Sequence, residues 1–337
     1  MINIFENISL KPYHTFATEA KARYFSSFTN IQELKALLKD KRFSGLPCLI
    51  LGGGSNILFT KDFDGLILQN NIRGVEILRN DPSTLVIRVG GGENWDDFVS
   101  YTVNQGWGGL ENLSYIPGNV GADPIQNIGA YGTEVKESIQ LVQTLNRENQ
   151  LPISYNHSDC LFDYRSSIFK NQLRGKRVIT HVVFILSKKP RFNLNYGSLY
   201  ETVSKKGAVN LKTIRQSVID IRKNKLPDPA ETGNAGSFFK NPVVTNKVFK
   251  KLLSAFPDLP SYPLHNKKYK LPAGWLIDKL GWKGYREGDA GVHPRQALVL
   301  VNYGNATGRE IFQLSQKIQR SVHAGFGIDL EYEVNIF

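Results

Sequence analysis

The segment LPCLILGGGSNILF (residues 46–59) places an apolar run directly before three consecutive glycines. This pattern predicts a buried strand that enters a tight turn. Glycine lets backbone amides approach an anion closely, so such a turn is also suited to phosphate groups. The segment lacks GxGxxG spacing and a following helix, and the chain contains no GxxxxGK[ST] sequence, which excludes a Rossmann or P-loop interpretation.

Two further glycine-rich segments follow. In LVIRVGGGENWDDFVSYTV (residues 85–103) a strand leads through glycines into an amphipathic helix with acidic residues in its first turn. The segment IPGNVGADPIQNIGAYG (residues 116–132) is too rich in glycine and proline to form one regular element. Each segment taken singly is compatible with a tight turn, whereas three of them in the first 132 residues favour one shared phosphate-bearing cofactor.

The composition excludes several classes of protein. The length of 337 residues predicts two or three domains, and 41% hydrophobic residues indicate a globular chain. No apolar run approaches the roughly 18 residues of a membrane span, and the N-terminus lacks a secretory signal, which predicts cytoplasmic residence. The two cysteines exclude a disulfide framework, and the six histidines show no HxxxH or HxH spacing, so we expect no metal site.

The net charge of +12 is concentrated in one part of the chain. Residues 201–290 hold 17 Lys and Arg against 8 Asp and Glu, which leaves +9 of that total. Three interpretations stay open: a solvated basic face, a nucleic-acid partner, or a small and highly anionic ligand. Nucleic acid is the least favoured because no RGG tract, zinc finger or basic heptad accompanies the charge.

Periodicity predicts the principal elements. The predicted helices cover residues 29–38, 213–221 and 308–323, and the clearest strands cover residues 137–146, 177–186 and 297–302. The breaker-rich KLPDPAETGNAG (residues 225–236) indicates a domain boundary. Residues 328–336 alternate as a terminal strand that carries Glu331 and Glu333 on its non-core face, where carboxylates are either solvated or presented to a cleft.

Single residues leave alternatives open. Ser237, in GNAGSFFKNP, is either a helix N-cap or a reactive hydroxyl, although no GxSxG elbow exists. Arg165, in DYRSSIFK, either clamps a carboxylate or forms a surface salt bridge. Tyr196 and Tyr262, in turn-like settings, are either ligand contacts or turn aromatics.

Nine segments in order resemble the UDP-N-acetylenolpyruvoylglucosamine reductase family of flavoenzymes. They are YHTF, LILGGGSNILF, GGGENWDDFV, GLENLSYIPGNVG, PIQNIGAYG, YRSSIFK, KLPDP with GNAGSFFKNP, AGWLIDKLGWKG and LEYEV. The NYGSL segment and the length of the middle domain are similar to the type I branch. The resemblance implies an α+β fold with a two-part FAD-binding region of the vanillyl-alcohol-oxidase/PCMH type. It places the first FAD subdomain at residues 1–70, joined by a C-terminal strand at 327–337, the second at 71–220, and an α+β substrate-binding domain at 226–326.

The resemblance also implies an activity. It is the NADPH-dependent, FAD-containing reduction of UDP-N-acetylglucosamine enolpyruvate to UDP-N-acetylmuramate in peptidoglycan biosynthesis, with hydride passing from flavin N5 to C3 of the substrate. The implied enzyme is a monomer with NADPH as co-substrate and with no nucleic-acid or membrane partner. An alternative is a flavin-dependent sugar or alcohol oxidase of the same cofactor fold; no histidine lies in a GGG or PG loop for covalent flavin attachment.

Site residues follow from matching the family's motifs. Arg165 would hold the substrate carboxylate and stabilise the enolate, Glu333 would assist as a protonated donor, and Ser237 would protonate C2, with a relay through water or Lys225. The implied FAD contacts are Gly52, Gly53, Gly54, Ser55, Asn56, Gly118, Gly121, Ile128 and Gly129. The implied substrate contacts are Tyr131, Tyr196, Arg222, Lys225, Asn241, Tyr262, Lys283 and Gln296, of which Lys225, Lys283 and Tyr196 would lie near the diphosphate.

One position departs from the family pattern. Relatives commonly carry small hydroxyl residues after the second glycine of PGxVG, whereas this chain has Ala122 and Asp123. Side-chain hydrogen bonds to the flavin are therefore not expected at these two residues, while backbone donors would remain.

Overall fold

The structure is a computed structural model that describes residues 2–337, with all side chains except that of His265. Within these residues the strands are β1 (Ile4–Ser9), β2 (Lys21–Phe28), β3 (Cys48–Leu51), β4 (Ile57–Leu58), β5 (Phe63–Asn70), β6 (Val75–Asn80), β7 (Thr84–Gly90), β8 (Gly129–Ala130), β9 (Thr133–Glu134), β10 (Ile139–Asn146), β11 (Pro152–Asn156), β12 (Arg177–Ser187), β13 (Gly233–Ser237), β14 (Val243–Thr245), β15 (Tyr262–Leu264), β16 (Lys268–Lys270), β17 (Arg286–Glu287), β18 (Ala290–Val292), β19 (Val299–Asn302) and β20 (Asn335–Ile336). The α-helices are α1 (Ile31–Lys39), α2 (Trp95–Asn104), α3 (Asp123–Gln126), α4 (Leu199–Ser204), α5 (Leu211–Lys225), α6 (Asn246–Ala255), α7 (Ala273–Lys279) and α8 (Gly308–Phe326). Single-turn 3-10 helices cover Lys11–Tyr13, Lys41–Phe43, Glu111–Leu113, Val135–Glu137, His157–Cys160 and His265–Lys267.

The chain divides into two compact units. Unit 1 comprises residues 2–8, Ala22–Gly54 and Asp64–Asn224, and unit 2 comprises Ser9–Lys21, Ser55–Phe63 and Lys225–Phe337. The chain passes from unit 1 to unit 2 for the last time at Lys225, which is the first residue of the breaker-rich KLPDPAETGNAG segment. The finer division into three domains stays a prediction.

The first sheet of unit 1 has the strand order β1-β2-β5-β3, with β3 and β5 parallel. Helix α1 contributes Leu34 and Leu37 to a core shared with Phe28 and Leu66 of the sheet. The predicted helix start at residue 29 is wrong by two positions because Asn30 is the N-cap, its Oδ1 accepting from the Glu33 amide at 2.9 Å.

The second sheet of unit 1 has the order β11-β10-β12-β7-β6 and is antiparallel throughout. The two clearest predicted strands are confirmed as β10 and β12. Helix α2 follows the second glycine segment as predicted, and it packs Trp95 and Phe98 against Phe184 of the sheet. The predicted helix over residues 213–221 is longer, from Leu211 to Lys225, because Asn210 Oδ1 accepts from the Thr213 amide and no proline interrupts the helix before residue 227.

Unit 2 is built on the antiparallel sheet β13-β19-β18-β17 and a small sheet of order β14-β16-β15. Helix α8 begins at a capping box in which the Thr307 hydroxyl accepts from the Glu310 amide and the Glu310 carboxylate accepts from the Thr307 amide. It ends at Gly327, whose φ of 65° stops the helix. The predicted end at residue 323 was three residues short, and the predicted strand over residues 297–302 begins only at Val299.

The chain ending differs from the predicted continuous strand. Burial alternates as predicted over Ile328, Leu330 and Val334, but ladder pairing is limited to Asn335–Ile336 beside Ile57–Leu58. A separate bridge joins Tyr332 to Phe239. The ending therefore changes partners within a few residues, which prevents one regular strand. Among the described residues, no helix has the length and apolarity to span a bilayer.

The N-terminus of α8 requires glycine. A Cβ on Gly308 would lie 1.7 Å from the Phe59 carbonyl oxygen, whereas a Cβ on Gly325 in the same helix would lie 3.0 Å from the movable end of Leu280. We expect Gly308→Ala to lower the free energy of unfolding by about 2 kcal/mol through overpacking. Gly325→Ala should leave it unchanged or raise it by up to about 1 kcal/mol, since alanine favours helix. Urea unfolding followed by circular dichroism measures both, and equal effects would contradict the close approach.

Candidate active site

The glycine-rich segments of unit 1 converge. We call them together the glycine cradle, which consists of residues 52–54, 90–92 and 118–121. The Gly121 amide donates to the Gly91 carbonyl at 2.9 Å, and the Val120 amide donates to the Glu93 carbonyl at 3.0 Å. A Cβ on Gly121 would lie 2.9 Å from the same Gly91 oxygen, so backbone meets backbone where no side chain fits.

Asn119 connects the cradle through its carboxamide. Its Nδ2 donates to the Gly92 carbonyl at 2.7 Å. A Cβ on Gly53 would lie 2.6 Å from Asn119 Oδ1 and 3.2 Å from Gly118 Cα, whereas one on Gly52 would make an ordinary 3.5 Å contact. Five predicted FAD contacts, Gly52, Gly53, Gly54, Gly118 and Gly121, thus lie in one place, while Ser55 and Asn56 belong to unit 2.

Asp123 follows the cradle and is almost fully enclosed, with 3% of the residue exposed. Its Oδ2 has no hydrogen-bond partner among residues 2–337. Its amide donates to the Val120 carbonyl at 3.4 Å, and its carbonyl accepts from the Ile128 amide at 3.2 Å. Burial raises the pKa of Asp123 well above its usual range. Folding therefore favours the protonated form of this carboxyl, and its contribution to stability falls as the pH rises through its folded-state pKa.

Arg165 is held in an unusual conformation beside the end of the same loop. Its φ is 51°, and its Nη2 donates to the Gly129 carbonyl at 2.8 Å, with Nη1 3.4 Å from the Asn127 carbonyl. The guanidinium carbon lies 5.7 Å from the centre of the Tyr164 ring. These contacts orient the guanidinium plane. The predicted residues Ile128, which is buried, and Gly129 belong to this neighbourhood.

Tyr131, Tyr196 and Arg222 form a second group in unit 1. The two tyrosine rings meet edge to face with centroids 6.1 Å apart, and Arg222 Nε donates to the Tyr115 carbonyl at 3.0 Å. Burial lowers the pKa of Arg222, and the Arg165 charge adds to that lowering. Burial raises the pKa of Tyr131, and the Arg222 charge opposes it. The two arginines and Tyr131 are therefore electrostatic neighbours.

Three supporting residues were not predicted. The buried Asn112 donates from Nδ2 to the Tyr131 carbonyl at 2.9 Å. Arg215 makes a two-pronged ion pair with Asp96, at 2.6 and 2.9 Å. Asn112 lies in the family motif GLENLSYIPGNVG, so the motif could have marked it as a site residue. Arg215 lies far from Asp96 in the sequence, and no local pattern predicts that pair.

In unit 2, Ser237 and Glu333 lie on paired segments. The Glu333 amide donates to the Phe238 carbonyl at 2.9 Å. Gly236 has a φ of 66°, and a register shift between Asn234 and Ser237 interrupts the pairing of β13 with β19. The interpretation of Ser237 as a helix N-cap is wrong, because it ends a strand.

The structure separates the two glutamates of the chain ending. Lys240 Nζ lies 2.8 Å from Glu331 Oε2, and the Glu331 side chain is 74% exposed. Glu333 is half-buried, and its carbonyl accepts from Asn56 Nδ2 at 3.2 Å. The Asn335 amide donates to the Asn56 carbonyl at 3.1 Å, so the predicted residue Asn56 fixes the backbone on both sides of Val334.

The other predicted residues of unit 2 fall into separate places. Asn241 Oδ1 accepts from the Ala273 amide at 2.9 Å, and Gln296 Oε1 lies 3.2 Å from where a Gly274 Cβ would stand, so both adjoin the first turn of α7. Lys283 pairs with Asp278 at 2.5 Å. Tyr262 is exposed beneath Lys270, 5.6 Å from the ring centre, and Lys225 is exposed at the end of α5.

Comparison with known proteins identifies the chain's relatives. The model of the UDP-N-acetylenolpyruvoylglucosamine reductase C-terminal domain matches residues 228–337, and the model of an FAD binding domain matches residues 22–148. The UDP-N-acetylenolpyruvoylglucosamine reductase of Flavobacterium johnsoniae is 45% identical over 99% of this chain and 100% of its own length. The chain belongs to the UDP-N-acetylenolpyruvoylglucosamine reductase family. The Pseudomonas putida reductase is likewise 45% identical, over 98% of each chain.

Solved structures agree in fold. The reductase of Thermus caldophilus superposes with a TM-score of 0.69 at 23% identity, covering 100% of this chain and 99% of that one. The p-cresol methylhydroxylase structure gives 0.50 at 12% identity, covering 96% and 83%. The predicted α+β fold with a PCMH-type FAD region is confirmed. FAD is the cofactor of this reductase family member, and all three cradle segments lie within the matched FAD binding domain.

The space around the cradle glycines predicts that FAD binding depends on Gly53 more than on Gly52. We expect Gly53→Ala to displace Asn119 and to lower the FAD content of purified protein at least tenfold, because the new methyl has no space. Gly52→Ala, with an ordinary contact, is the matched control and should retain most of its FAD. Absorbance of flavin released per mole of protein measures both. Full FAD content in Gly53→Ala would show that the cradle does not hold the cofactor.

Proposed function

We propose that the protein reduces UDP-N-acetylglucosamine enolpyruvate to UDP-N-acetylmuramate, with FAD as cofactor and NADPH as co-substrate. The pairing of the Ser237 and Glu333 segments within the matched reductase C-terminal domain carries this proposal, because it sets a hydroxyl and a carboxyl on neighbouring backbones. Monomeric state and cytoplasmic residence stay predictions.

FAD, when bound, supplies the hydride chemistry of the reaction. The glycine cradle of unit 1 would hold it, with Ser55 and Asn56 following in the chain and with Ile128 and Gly129 at the end of the loop. Close backbone approach without side chains suits the diphosphate of this cofactor. The enclosed carboxyl of Asp123 is a further polar group that suits a ligand with hydrogen-bonding atoms.

Arg165 is assigned the carboxylate of the enolpyruvyl group. A planar guanidinium matches a carboxylate through two parallel hydrogen bonds, and its contacts with the Gly129 and Asn127 carbonyls fix its plane. The nearby Arg222 adds a second positive charge, so the pair favours a dianionic or polyanionic ligand. The same charges stabilise an enolate that forms next to the carboxylate.

Ser237 is assigned the proton that reaches C2, and Glu333 the support of the enolate. A serine hydroxyl is a weak acid, so its proton must be replaced through water or through Lys225. The sugar and its substituents are assigned to Tyr131, Asn241, Tyr262 and Gln296. Tyr196, Lys225 and Lys283 are assigned to the diphosphate, for which Lys283 would exchange its pairing with Asp278.

Rapid-mixing measurements of the two half-reactions test the function and Ser237 together. We expect the wild-type flavin to be bleached by NADPH and restored by the enolpyruvyl UDP-sugar in the absence of oxygen. In Ser237→Ala, bleaching should stay within twofold and restoration should slow by at least a hundredfold, because the proton donor is lost. Rapid oxygen consumption with a sugar and no response to the UDP-sugar would indicate an oxidase instead. Equal slowing of both steps would remove Ser237 as the donor.

The two glutamates provide a matched pair. Glu333→Gln should slow flavin restoration by about tenfold, less than Ser237→Ala does, since an amide still donates a hydrogen bond but is a weaker donor than a carboxylic acid. Glu331→Gln removes only an exposed pairing with Lys240 and should leave both half-reactions within twofold. The same stopped-flow assay measures both variants. Slowing by Glu331→Gln with no effect of Glu333→Gln would reverse the assignment.

A further inference from the structure

Asp123 is a buried acid without a cation. Burial is the cause that acts on its pKa, and among the described residues no charged group is recorded as acting on it. An ionised carboxylate enclosed in this way costs several kcal/mol, so the neutral acid is the stable form. A neutral carboxylic acid carries an O–H donor, which an ionised aspartate lacks.

The buried Oδ2 atom of Asp123 lacks a hydrogen-bond partner within the described residues. Buried polar atoms in folded proteins almost always have hydrogen-bond partners, yet Asp123 Oδ2 has none within residues 2–337. The backbone around it is rigid: Val120 and Ile128 are core residues, and both backbone groups of Asp123 are hydrogen-bonded within the loop. The residue is only 3% exposed, so a bound ligand would supply the missing partner in place of bulk water.

Asp123 directly follows the glycine cradle in the chain. Asp123 lies two residues after Gly121, whose amide contacts Gly91 in the cradle, and the Ala122 methyl lies 4.0 Å from where a Gly52 Cβ would stand. We propose that Asp123, as a neutral carboxylic acid, donates a hydrogen bond to an acceptor atom of the flavin ring of bound FAD. The proposal rests on FAD as cofactor and not on the identity of the substrate.

This donor would take the place of the small hydroxyl residues that the family pattern has and this chain lacks. Backbone donors alone were expected there, because the small hydroxyl residues common in relatives are absent. A protonated carboxyl restores a side-chain donor and reaches one bond further than serine. Hydrogen bonds to the flavin ring tune its electronics, and a donor stabilises the more electron-rich reduced ring over the oxidised one.

Redox titration of the FAD-loaded protein tests this directly. Asp123→Leu has a similar shape but no donor, and we expect its equilibrium constant for flavin reduction to fall about tenfold, which is about 30 mV for a two-electron couple. Asp123→Asn keeps an N–H donor and should stay within threefold of the wild type. Asp97→Asn, at an exposed carboxylate of the same unit, is the control and should not change the constant. Equal constants for wild type and Asp123→Leu would overturn the proposal.

Infrared spectroscopy of the wild type provides a second measurement that does not depend on whether Asp123→Leu folds. The difference spectrum between wild type and Asp123→Asn at neutral pH should contain the carbonyl band of a protonated carboxylic acid, and that band should shift when FAD is added to the apoprotein. A band that does not move on FAD binding would make Asp123 a structural acid. An absent band would show an ionised carboxylate, and either result overturns the proposal.

Discussion

Backbone meets backbone where Gly121 reaches Gly91, and no side chain fits there. The same constraint recurs at Gly53, whose missing side chain makes space for the Asn119 carboxamide. These contacts connect three loops that follow different elements of unit 1. The cradle therefore forms only when the sheets and helices of that unit bring the three loops together. The loop that continues from it carries Asp123 and ends near the Arg165 guanidinium, so the positions of both depend on the glycine contacts.

Unit 2 positions its chemistry by main-chain hydrogen bonds as well. Glu333 is held through its amide by Phe238 and through its carbonyl by Asn56, so its location does not depend on its side chain. This main-chain network fixes the backbone at Glu333. It also couples the last residues of the chain to residues 55–63, where Gly308 meets Phe59. A site built in this way tolerates a change of side chain but not a change of chain path.

Local patterns predicted the elements because their causes are local. Helix α2 and strands β10 and β12 follow from periodicity, and the structure confirms all three. The double pairing of the chain ending was missed, since the choice between Phe239 and Ile57–Leu58 as partners depends on distant segments. The family motifs favour Glu333 over Glu331, and this choice stays a prediction; the structure shows that Glu331 pairs with Lys240 and is exposed. Asp123 departs from the family pattern in the sequence, but composition does not predict that the folded chain buries it.

The excess of positive charge has two different origins. Part of it is a solvated face, where exposed ion pairs such as Lys279–Asp258, Lys283–Asp278 and Arg286–Asp289 contribute little to stability. Arg222 is different because it is half-buried and burial and the Arg165 charge both lower its pKa, while its neighbour Asp96 is bound to Arg215. Two positive charges in one neighbourhood repel each other, and a bound anion would offset this repulsion. The proposed substrate, which carries a carboxylate and a diphosphate, is an anion of this kind.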